Sequence, residues 1–449
     1  MVEATHSFPP GFIWGTATAA HQVEGDNLAN DWAQWEKQPG RIREDHVAGK
    51  ACDWWSGRWA DDLDRAAAAG QNAHRLSVEW SRIQPAPDRW DETALDAYRQ
   101  IVSGAAKRGL QPVVTLHHFT NPLWLAEQGG WLNPEVITRF ERFSTRVVET
   151  LADRVGFWTT INEPNVYAFA AHASGDFPPG GRDLAQAIRV MAHMTQAHAA
   201  AYHAIHRLQP HALVGMAHHY RGMDPARRWL PLDGLVAGLR SSNFNDAIPK
   251  ALVSGELRLV GRRLPMPEAR GTQDYFGLNY YTCERVNFDL GRPRELFGHG
   301  HFAPQLPVSP DGFIADDPGG FLKALRWAKQ FGLPVYVLEN GCEDSQDDFR
   351  RRYLAGHIRR LWDAVNFNWQ IKGYFHWSLV DNFEWERGWT QRFGLWQLDT
   401  ETQVRTKRPS ADFYAEICQQ NALSSSTVAA YAPAAAATLF PHDGPGELP

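Results

Sequence analysis

Two apolar runs of this sequence each end in a glutamate, and these two carboxyls are the side chains that most clearly suggest chemistry. The run "FWTTINEP" carries Asn162 and Glu163 at its end, and the run "PVYVLENG" carries Glu339 and Asn340. Two carboxyls that face each other across a sugar-sized opening can hydrolyse an acetal, because one protonates the leaving oxygen while the other meets the oxocarbenium-like carbon. A lone glutamate at a strand end is more often an ion-pair partner or a helix cap, so this interpretation depends on the pair.

The elements that must bring the two glutamates together form a repeating pattern. Amphipathic helical stretches separate short β-type runs, as expected for repeated βα units. Eight strands with helical crossovers predict an α/β fold, a (β/α)₈ TIM barrel in a single domain, because an open sheet of eight strands would leave edges to protect. The eight runs are residues 12–18, 73–80, 112–119, 157–164, 213–220, 274–282, 334–341 and 373–382.

One helix is especially clear. Asn133 is predicted as its N-cap and Pro134 as its first residue, and apolar residues recur on one face. Further helices are predicted over 194–208 and 319–332. The apolar face comprises Val136, Phe140, Phe143, Val147 and Leu151.

The C-terminal ends of the strands of such a barrel form one shared opening, so polar residues far apart in sequence are predicted to converge there. Polar and aromatic residues do accumulate at these ends. They are Gln22, Glu24, Arg75, Glu79, His117, His118, Asn162, Glu163, Asn279, Tyr280, Tyr281, Glu339, Asn340, Trp377, Asp381, Asn382, Glu384 and Trp385.

Composition excludes several classes of partner. The 449 residues carry a net charge of −6 and no block of basic residues, so neither a nucleic acid nor a membrane surface is predicted as partner. The four cysteines show no metal-site or disulfide spacing, and the start shows no export signal, which together predict a cytoplasmic protein. The barrel domain is predicted over 1–421 and a low-complexity Ala/Pro/Ser-rich tail over 422–449.

Histidine pairs offer an alternative chemistry. His117–His118 and His218–His219 raise the possibility of a metal-dependent hydrolase. Adjacent strand residues point to opposite faces, so one histidine of each pair is expected to face the interior, and no third ligand has convincing spacing. We therefore predict neither a metal nor another cofactor.

The motifs carry a resemblance to a known family. From "FPPGFIWGTATAAHQVEG" to "TKRPSADFY", residues 8–414, the chain resembles the family 1 glycoside hydrolases, which are retaining β-glycosidases and include the β-glucosidases. "TINEP" resembles the acid/base motif of that family and "VLENG" its nucleophile motif. Further similar blocks are "TLHHFTNPLW", "FGLNYY" and "GYFHWSLVDNFEWERGWTQRFGL".

The resemblance implies roles for the matching residues. Glu339 would be the nucleophile and Glu163 the acid/base, with Arg75 and the Tyr281 hydroxyl favouring ionised Glu339 and the charge of Glu339 raising the pKa of Glu163. Asn162 would bind the 2-hydroxyl of the sugar. The full set of residues implied for binding the terminal sugar is Gln22, His118, Asn162, Trp377, Glu384 and Trp385.

The implied activity is exo-acting hydrolysis of terminal β-D-glucosyl residues by double displacement. A galactosyl or fucosyl preference stays open, because His21 and Phe119 depart from residues common in the family. Transglycosylation would use the same residues as hydrolysis, so the sequence does not separate the two, and it does not fix the oligomeric state. A 6-phospho-β-glycosidase and a non-catalytic sugar-binding barrel are the alternatives. Trp80, Trp124 and Trp327 are candidates for contacts with the aglycone.

Overall fold

The eight predicted strands pair in one closed ring. The computed structural model describes residues 4–441. Each strand pairs in parallel with the next along the chain, and the last pairs with the first, so the predicted (β/α)₈ barrel is confirmed. The strands are β1 (Ile13–Ala17), β2 (Ala73–Ser77), β3 (Gln111–His117), β4 (Phe157–Asn162), β5 (Leu213–Pro225), β6 (Phe276–Phe288), β7 (Val335–Asn340) and β8 (Ile371–Trp377).

A helix lies between each strand and the next, and another follows β8. These helices are α1 (Trp59–Ala68), α2 (Glu92–Lys107), α3 (Val136–Leu151), α4 (Leu184–Leu208), α5 (Ala247–Ser254), α6 (Pro318–Lys329), α7 (Asp348–Asn366) and α8 (Pro409–Gln420). Additional helices are Ala20–Val23, Asp31–Trp35, Trp80–Ile83, Leu123–Glu127, Pro164–Phe169, Pro231–Ser241, Ser425–Tyr431 and Pro433–Leu439.

Short strands lie outside the ring. Gly298–His301 pairs antiparallel with the extended end of β6, and two small hairpins join Glu256–Leu259 to Arg262–Pro265 and Trp396–Leu398 to Arg405–Lys407. The extended ends of β5 and β6 stay paired with each other beyond the ring, up to Pro225 and Val286. The loops on this side of the barrel are therefore attached to a hydrogen-bonded pair of strands.

Helix α3 shows why the amphipathic pattern was informative and where it was not. All five predicted apolar residues of α3 are buried. The helix begins at Val136, two residues later than predicted, although the Asn133 side chain accepts a hydrogen bond from the backbone N–H of Glu135 at 3.0 Å, as an N-cap side chain would. Helix α4 begins earlier than predicted, since Asp183 caps it through the N–H of Ala185 at 2.8 Å.

Aromatic residues fill the end of the barrel at which the strands begin. Phe157, at the start of β4, contacts Tyr275 and Tyr336 with ring centroids 4.7 and 4.9 Å apart. Val113 and Phe375 belong to the same buried cluster. Because this end is filled with side chains, the polar residues at the opposite strand ends are the ones that can reach a ligand.

The segment after residue 421, predicted as a low-complexity tail, forms secondary structure as far as Leu439. The strand Ala422–Ser424 pairs antiparallel with Thr5–Ser7, and two short helices follow it. The side chains of Leu423 and Val428 are fully buried and that of Phe440 is nearly so, within a cluster that also contains residues of α7 and α8. A few well-placed apolar residues therefore anchor an Ala-rich segment. Residues 442–449 of the predicted tail lie outside the described residues.

All four cysteines are unpaired and buried, as expected for reduced thiols. Between residues 4 and 441, no helix combines the length and apolar character needed to cross a membrane.

Truncating Leu423 should destabilise the protein although it lies in the predicted tail. Leu423→Ala removes a fully buried side chain, so we expect the free energy of unfolding to fall by about 2–5 kcal/mol. The matched control Leu290→Ala changes a side chain that is 75% exposed and should stay within about 0.5 kcal/mol of the parent. Urea unfolding measures both, and equal losses would show that the segment adds no stability.

Candidate active site

A cavity of about 300 Å³ opens at the C-terminal ends of the barrel strands. Eight of the ten predicted site residues line it, and the remaining two, Gln22 and Arg75, are buried behind it and hydrogen-bond to lining residues. The lining members are His118, Asn162, Glu163, Tyr281, Glu339, Trp377, Glu384 and Trp385. The structure therefore brings the whole predicted set together.

Glu339 lies near the end of β7 with a charged partner and a hydroxyl donor. Nη1 of Arg75 donates to its Oε1 at 2.5 Å, and the Tyr281 hydroxyl donates to its Oε2 at 2.6 Å. Arg75 is fully buried and Glu339 nearly so. A buried cation and a hydrogen bond both favour the ionised carboxyl.

The residues after Glu339 explain why a buried strand ends in an amide and a glycine. The Asn340 side chain donates to the Tyr280 carbonyl at 2.7 Å and accepts from the Tyr374 hydroxyl at 2.9 Å. A Cβ at Gly341 would lie 1.9 Å from the carbonyl oxygen of Trp377. Asn340 thus fixes the strand end, and glycine alone leaves room for the neighbouring strand.

Glu163 lies at the turn between β4 and the helix Pro164–Phe169. Its φ of 44° and ψ of 57° are left-handed, a conformation that is uncommon for a non-glycine residue and is often found at functional sites. Its Oε1 lies 2.9 Å from Nδ1 of His219 and accepts a hydrogen bond from Nδ2 of Asn279 at 2.8 Å. The local backbone therefore aims this carboxyl into the cavity.

A chain of hydrogen bonds links the two carboxyls. Oδ1 of Asn162 accepts from Nη2 of Arg75 at 2.7 Å and from Nδ2 of Asn279 at 3.1 Å. Arg75 also binds Glu339, and Asn279 also binds Glu163. The relative positions of the two glutamates are therefore set by one connected network.

The proton affinities of the two glutamates differ from the order predicted by the sequence analysis. Burial raises the pKa of Glu339 to about 6, with Glu163 adding to the rise and Arg75 and Tyr281 opposing it. Burial also raises the pKa of Glu163, but the charge and hydrogen bond of His219, the hydrogen bond of Asn279 and the charge of Arg75 together outweigh burial and leave that pKa below its usual value.

Gln22 and Glu384 form a polar corner of the site. Nε2 of Gln22 donates to the Phe383 carbonyl at 2.8 Å and to Glu384 at 3.2 Å, and Asn382 donates to the same Glu384 oxygen at 2.7 Å. Burial raises the pKa of Glu384 to about 8. Within residues 4–441, Oε1 of Gln22 is buried and has no hydrogen-bond partner. Such an atom is suited to a ligand hydroxyl.

His118 stands between two indoles. Its ring stacks at 5.9 Å on both Trp377 and Trp385, and its Nε2 lies 3.1 Å from Nδ2 of Asn162. Burial holds the pKa of His118 well below its usual range, so the ring is neutral. Its Nδ1 is buried and unpartnered within the described chain. Aromatic faces beside unpaired polar atoms are what a sugar ring requires.

The outer wall of the cavity is apolar. Val166, Phe169, Phe244 and Phe313 line it, together with Ile314. These residues come from helices and loops beyond the strand ends, where the sequence shows no periodic pattern that would have identified them.

The three tryptophans considered as candidates for aglycone contacts are not part of the cavity lining, which favours the alternative that they serve packing. Trp80 stacks on Phe143 at 4.8 Å, and Trp327 contacts Phe276 edge-on at 5.2 Å. Trp124 donates its indole N–H to the Gln84 carbonyl at 2.8 Å. All three serve packing between helices and strands.

Several other polar residues at the strand ends stabilise the fold. Glu24 pairs with Arg82 at 2.8 Å and accepts from the Tyr98 hydroxyl, whereas Arg408 grips Asp381 through two nitrogens at 2.8 and 3.0 Å. Neither carboxyl lines the cavity. A polar residue at a strand end is thus a candidate for function. Whether it serves the site or stabilises the fold depends on the residue that it contacts.

Each histidine pair places one member in the cavity. His118 and His219 line it, whereas His117 contacts Asn121 at 3.2 Å and His218 contacts Gln273 at 2.8 Å, outside the lining. The predicted alternation is confirmed. Within residues 4–441, no three His, Cys, Asp or Glu side chains are grouped to hold a metal ion. By residue type alone His219 is a possible metal ligand, and its contact with Glu163 is evident only in the structure.

Comparison with known proteins agrees with this geometry. The family model described as "Glycosyl hydrolase family 1" matches residues 4–423. Beta-glucosidase A of Thermotoga maritima is 31% identical over 443 residues, covering 93% of this chain and 98% of that protein. A beta-galactosidase of Sulfolobus acidocaldarius is also 31% identical, over 480 residues, with 93% and 96% of the two chains covered.

Solved structures give the same result. A beta-glycosidase from Pyrococcus horikoshii superimposes with a TM-score of 0.89 at 33% identity, and the match covers 95% of this chain and 98% of that chain. The resemblance therefore extends through sequence and fold over nearly the full length.

Proposed function

Since this chain belongs to glycosyl hydrolase family 1 and is a β-glycosidase, we propose that it removes terminal β-D-glucosyl residues by double displacement, with Glu339 as nucleophile and Glu163 as acid/base. The observation that carries this proposal is the pair of carboxyls, linked by hydrogen bonds, in one cavity at the strand ends. Relatives named beta-glucosidase and beta-galactosidase support the substrate class.

Glu339 is the better candidate for the nucleophile because its cation is permanent. Attack on the anomeric carbon requires an ionised carboxyl, and Arg75 with the Tyr281 hydroxyl stabilises that form. Attack displaces the aglycone oxygen and leaves a covalent glycosyl-enzyme. Arg75 then loses its counter-charge, which favours the later departure of Glu339 from the sugar.

Glu163 is the candidate for proton transfer. It would protonate the leaving oxygen in the first step and take a proton from water in the second, when that water attacks the anomeric carbon and releases Glu339. The pKa of about 6 at Glu339 limits activity in acid, because protonation of the nucleophile stops the first step.

We assign the glycone site to Gln22, His118, Asn162, Trp377, Glu384 and Trp385. Supporting observations are the unpaired buried atoms on Gln22 and His118, which a sugar hydroxyl would satisfy. An apolar aglycone would contact Val166, Phe169, Phe244 and Phe313. A cytoplasmic location stays a prediction, as does the preference for glucosides over galactosides.

The residues after β8 do not suit a phosphate. Glu384 and Glu386 line the cavity, and the cation of Arg387 lies 3.4 Å from Glu386 and 4.1 Å from the ring centre of Phe313. A phosphorylated sugar placed there would meet a cation that already has partners, so the 6-phospho alternative is not favoured.

Retention of configuration is the first prediction of this mechanism. Two successive inversions at the anomeric carbon should release the β-anomer of the sugar first. Proton NMR in the first minutes of hydrolysis, before mutarotation, measures the ratio of anomers. Initial release of the α-anomer would exclude a covalent intermediate.

The two glutamates should respond differently to removal. Glu339→Ala should lower kcat by roughly 10⁴-fold or more for every substrate, because no leaving group compensates for a missing nucleophile. Glu163→Ala should spare glycosylation by a dinitrophenyl glucoside, whose leaving group needs no proton, and should slow hydrolysis of poorer leaving groups by about 10²–10⁴-fold.

Azide distinguishes the two variants further. In Glu163→Ala it should attack the glycosyl-enzyme and give the β-azide, whereas in Glu339→Ala it should attack the substrate directly and give the α-azide. Product analysis by NMR is the measurement. If each variant gave the opposite azide anomer, the roles of nucleophile and acid/base would have to be exchanged between Glu339 and Glu163. Full activity in both variants would show that the active site lies elsewhere.

Unphosphorylated substrates should be preferred. We expect kcat/KM for a nitrophenyl β-glucoside to exceed that for its 6-phospho analogue, because burying a phosphate beside a cation that already has partners costs free energy, and a cost of about 1.4 kcal/mol already gives a tenfold difference. Parallel assays at fixed ionic strength measure the ratio. Preference for the phosphorylated substrate would contradict our assignment of Glu384 and Glu386.

A further inference from the structure

His219 is held in a fixed orientation against Glu163. Its Nδ1 lies 2.9 Å from Oε1 of Glu163. Its ring stacks on Tyr281 with centroids 6.0 Å apart and meets Phe244 edge-on at 5.9 Å. The side chain of His219 also lines the cavity. Packing on two sides thus keeps one ring nitrogen directed at the carboxyl.

The two oxygens of Glu163 have different surroundings. Within residues 4–441, His219 and Asn279 both contact Oε1, and neither contacts Oε2. Oε2 is thereby left for the leaving oxygen or the attacking water. Asn279 donates a hydrogen bond but cannot exchange a proton near neutrality, whereas an imidazole can.

We propose that His219 and Glu163 together hold the proton that the departing aglycone receives, so that His219 is a positioning and proton-sharing residue. This inference rests on the proposed function. With one proton on the pair, either His219 is an imidazolium beside an ionised Glu163, or His219 is neutral beside a protonated Glu163. The two forms differ in the place of one proton and in no other atom.

The proton balance through one turnover follows from this sharing. In glycosylation the carboxyl of Glu339 bonds to the anomeric carbon, the glycosidic C–O bond breaks, and the pair passes one proton to the departing oxygen through Glu163. In deglycosylation water bonds to that carbon, the bond to Glu339 breaks, and the proton of water returns to the pair. No other reactant is needed.

Sharing extends the pH range in which the acid proton is present. An imidazole ordinarily titrates nearer neutrality than a carboxyl. A carboxyl paired with an imidazole therefore keeps a shared proton up to a higher pH than a carboxyl whose hydrogen-bond donor cannot exchange a proton. His219 lowers the pKa of Glu163 through its charge and hydrogen bond, as do Asn279 and Arg75, against the effect of burial.

Other charged and titratable groups face this pair from several elements. Arg75 on β2, Tyr281 on β6 and Glu339 on β7 act directly on Glu163 or are acted on by it. Arg221 on β5 is paired with Glu284 at 3.3 Å. The remaining charged groups at the cavity are Asp176, Glu384, Glu386 and Arg387. All of these groups are retained when His219 alone is changed. A difference between the pH profiles of the parent protein and the His219 variant can therefore be attributed to His219.

His219→Asn is the first test, because asparagine can keep a hydrogen bond to Glu163 but cannot hold the proton. With an alkyl β-glucoside, whose leaving group needs protonation, we expect the basic limb of kcat/KM to move to lower pH by about one unit or more. With a dinitrophenyl β-glucoside the basic limb should not move. The matched control His301→Asn alters an exposed histidine outside the cavity and should leave both profiles unchanged.

An unchanged basic limb with a reduced kcat in His219→Asn would overturn the proposal and leave His219 as a packing contact. Nitrogen-15 NMR provides a second measurement that needs no folded His219 variant. The His219 imidazole should lose its proton at lower pH in Glu163→Gln than in the parent protein, and equal titrations would overturn the proposal. Failure of the parent protein to hydrolyse β-glycosides would instead refute the proposed function, and the NMR comparison would still decide whether the pair shares a proton.

Discussion

The buried guanidinium of Arg75 is the constraint on which the active site depends. A charge removed from water is costly unless it is paired and hydrogen-bonded, and Arg75 meets this requirement through partners on three other strands: Thr115 on β3, Asn162 on β4, and Glu339 with the Leu338 carbonyl on β7. A register error in any of these strands would leave the cation partly unpaired. The same group therefore favours correct closure of the barrel and holds the nucleophilic carboxyl in its ionised form, so the fold and the chemistry share one interaction.

The two carboxyls differ mainly in the kind of cation beside them. Glu339 faces an arginine, whereas Glu163 faces a histidine, which is the type of side chain that exchanges a proton most readily near neutrality. Because both carboxyls are buried, desolvation raises both pKa values, and the neighbours produce the difference between them. This asymmetry gives a physical basis for assigning nucleophilic attack to one residue and proton transfer to the other, independently of any resemblance to other proteins.

Sequence reasoning predicted the barrel because eight apolar runs alternated with amphipathic helices, and it predicted the site because strand ends converge in that fold. It failed for residues whose role depends on a contact with a residue distant in the sequence. His219 looked like a metal candidate, since no local pattern reveals that its partner is Glu163, 56 positions away. Phe244 and Phe313 lie in stretches without periodicity, and Trp327 is indistinguishable by type from a sugar-binding tryptophan. The burial of Leu423 was hidden by its alanine- and serine-rich surroundings.

The pairing of β1 with β8 has a consequence for biosynthesis. Ile13 lies opposite Gly373, so about 360 residues must be made before the first barrel strand meets its last partner. At a translation rate of about 5–20 residues per second this takes roughly 20–70 seconds. Throughout that interval one edge of β1 is unpaired on the ribosome, available to chaperones or to strands of other nascent chains. Expression yield is therefore expected to be sensitive to chaperone supply even when the finished barrel is stable.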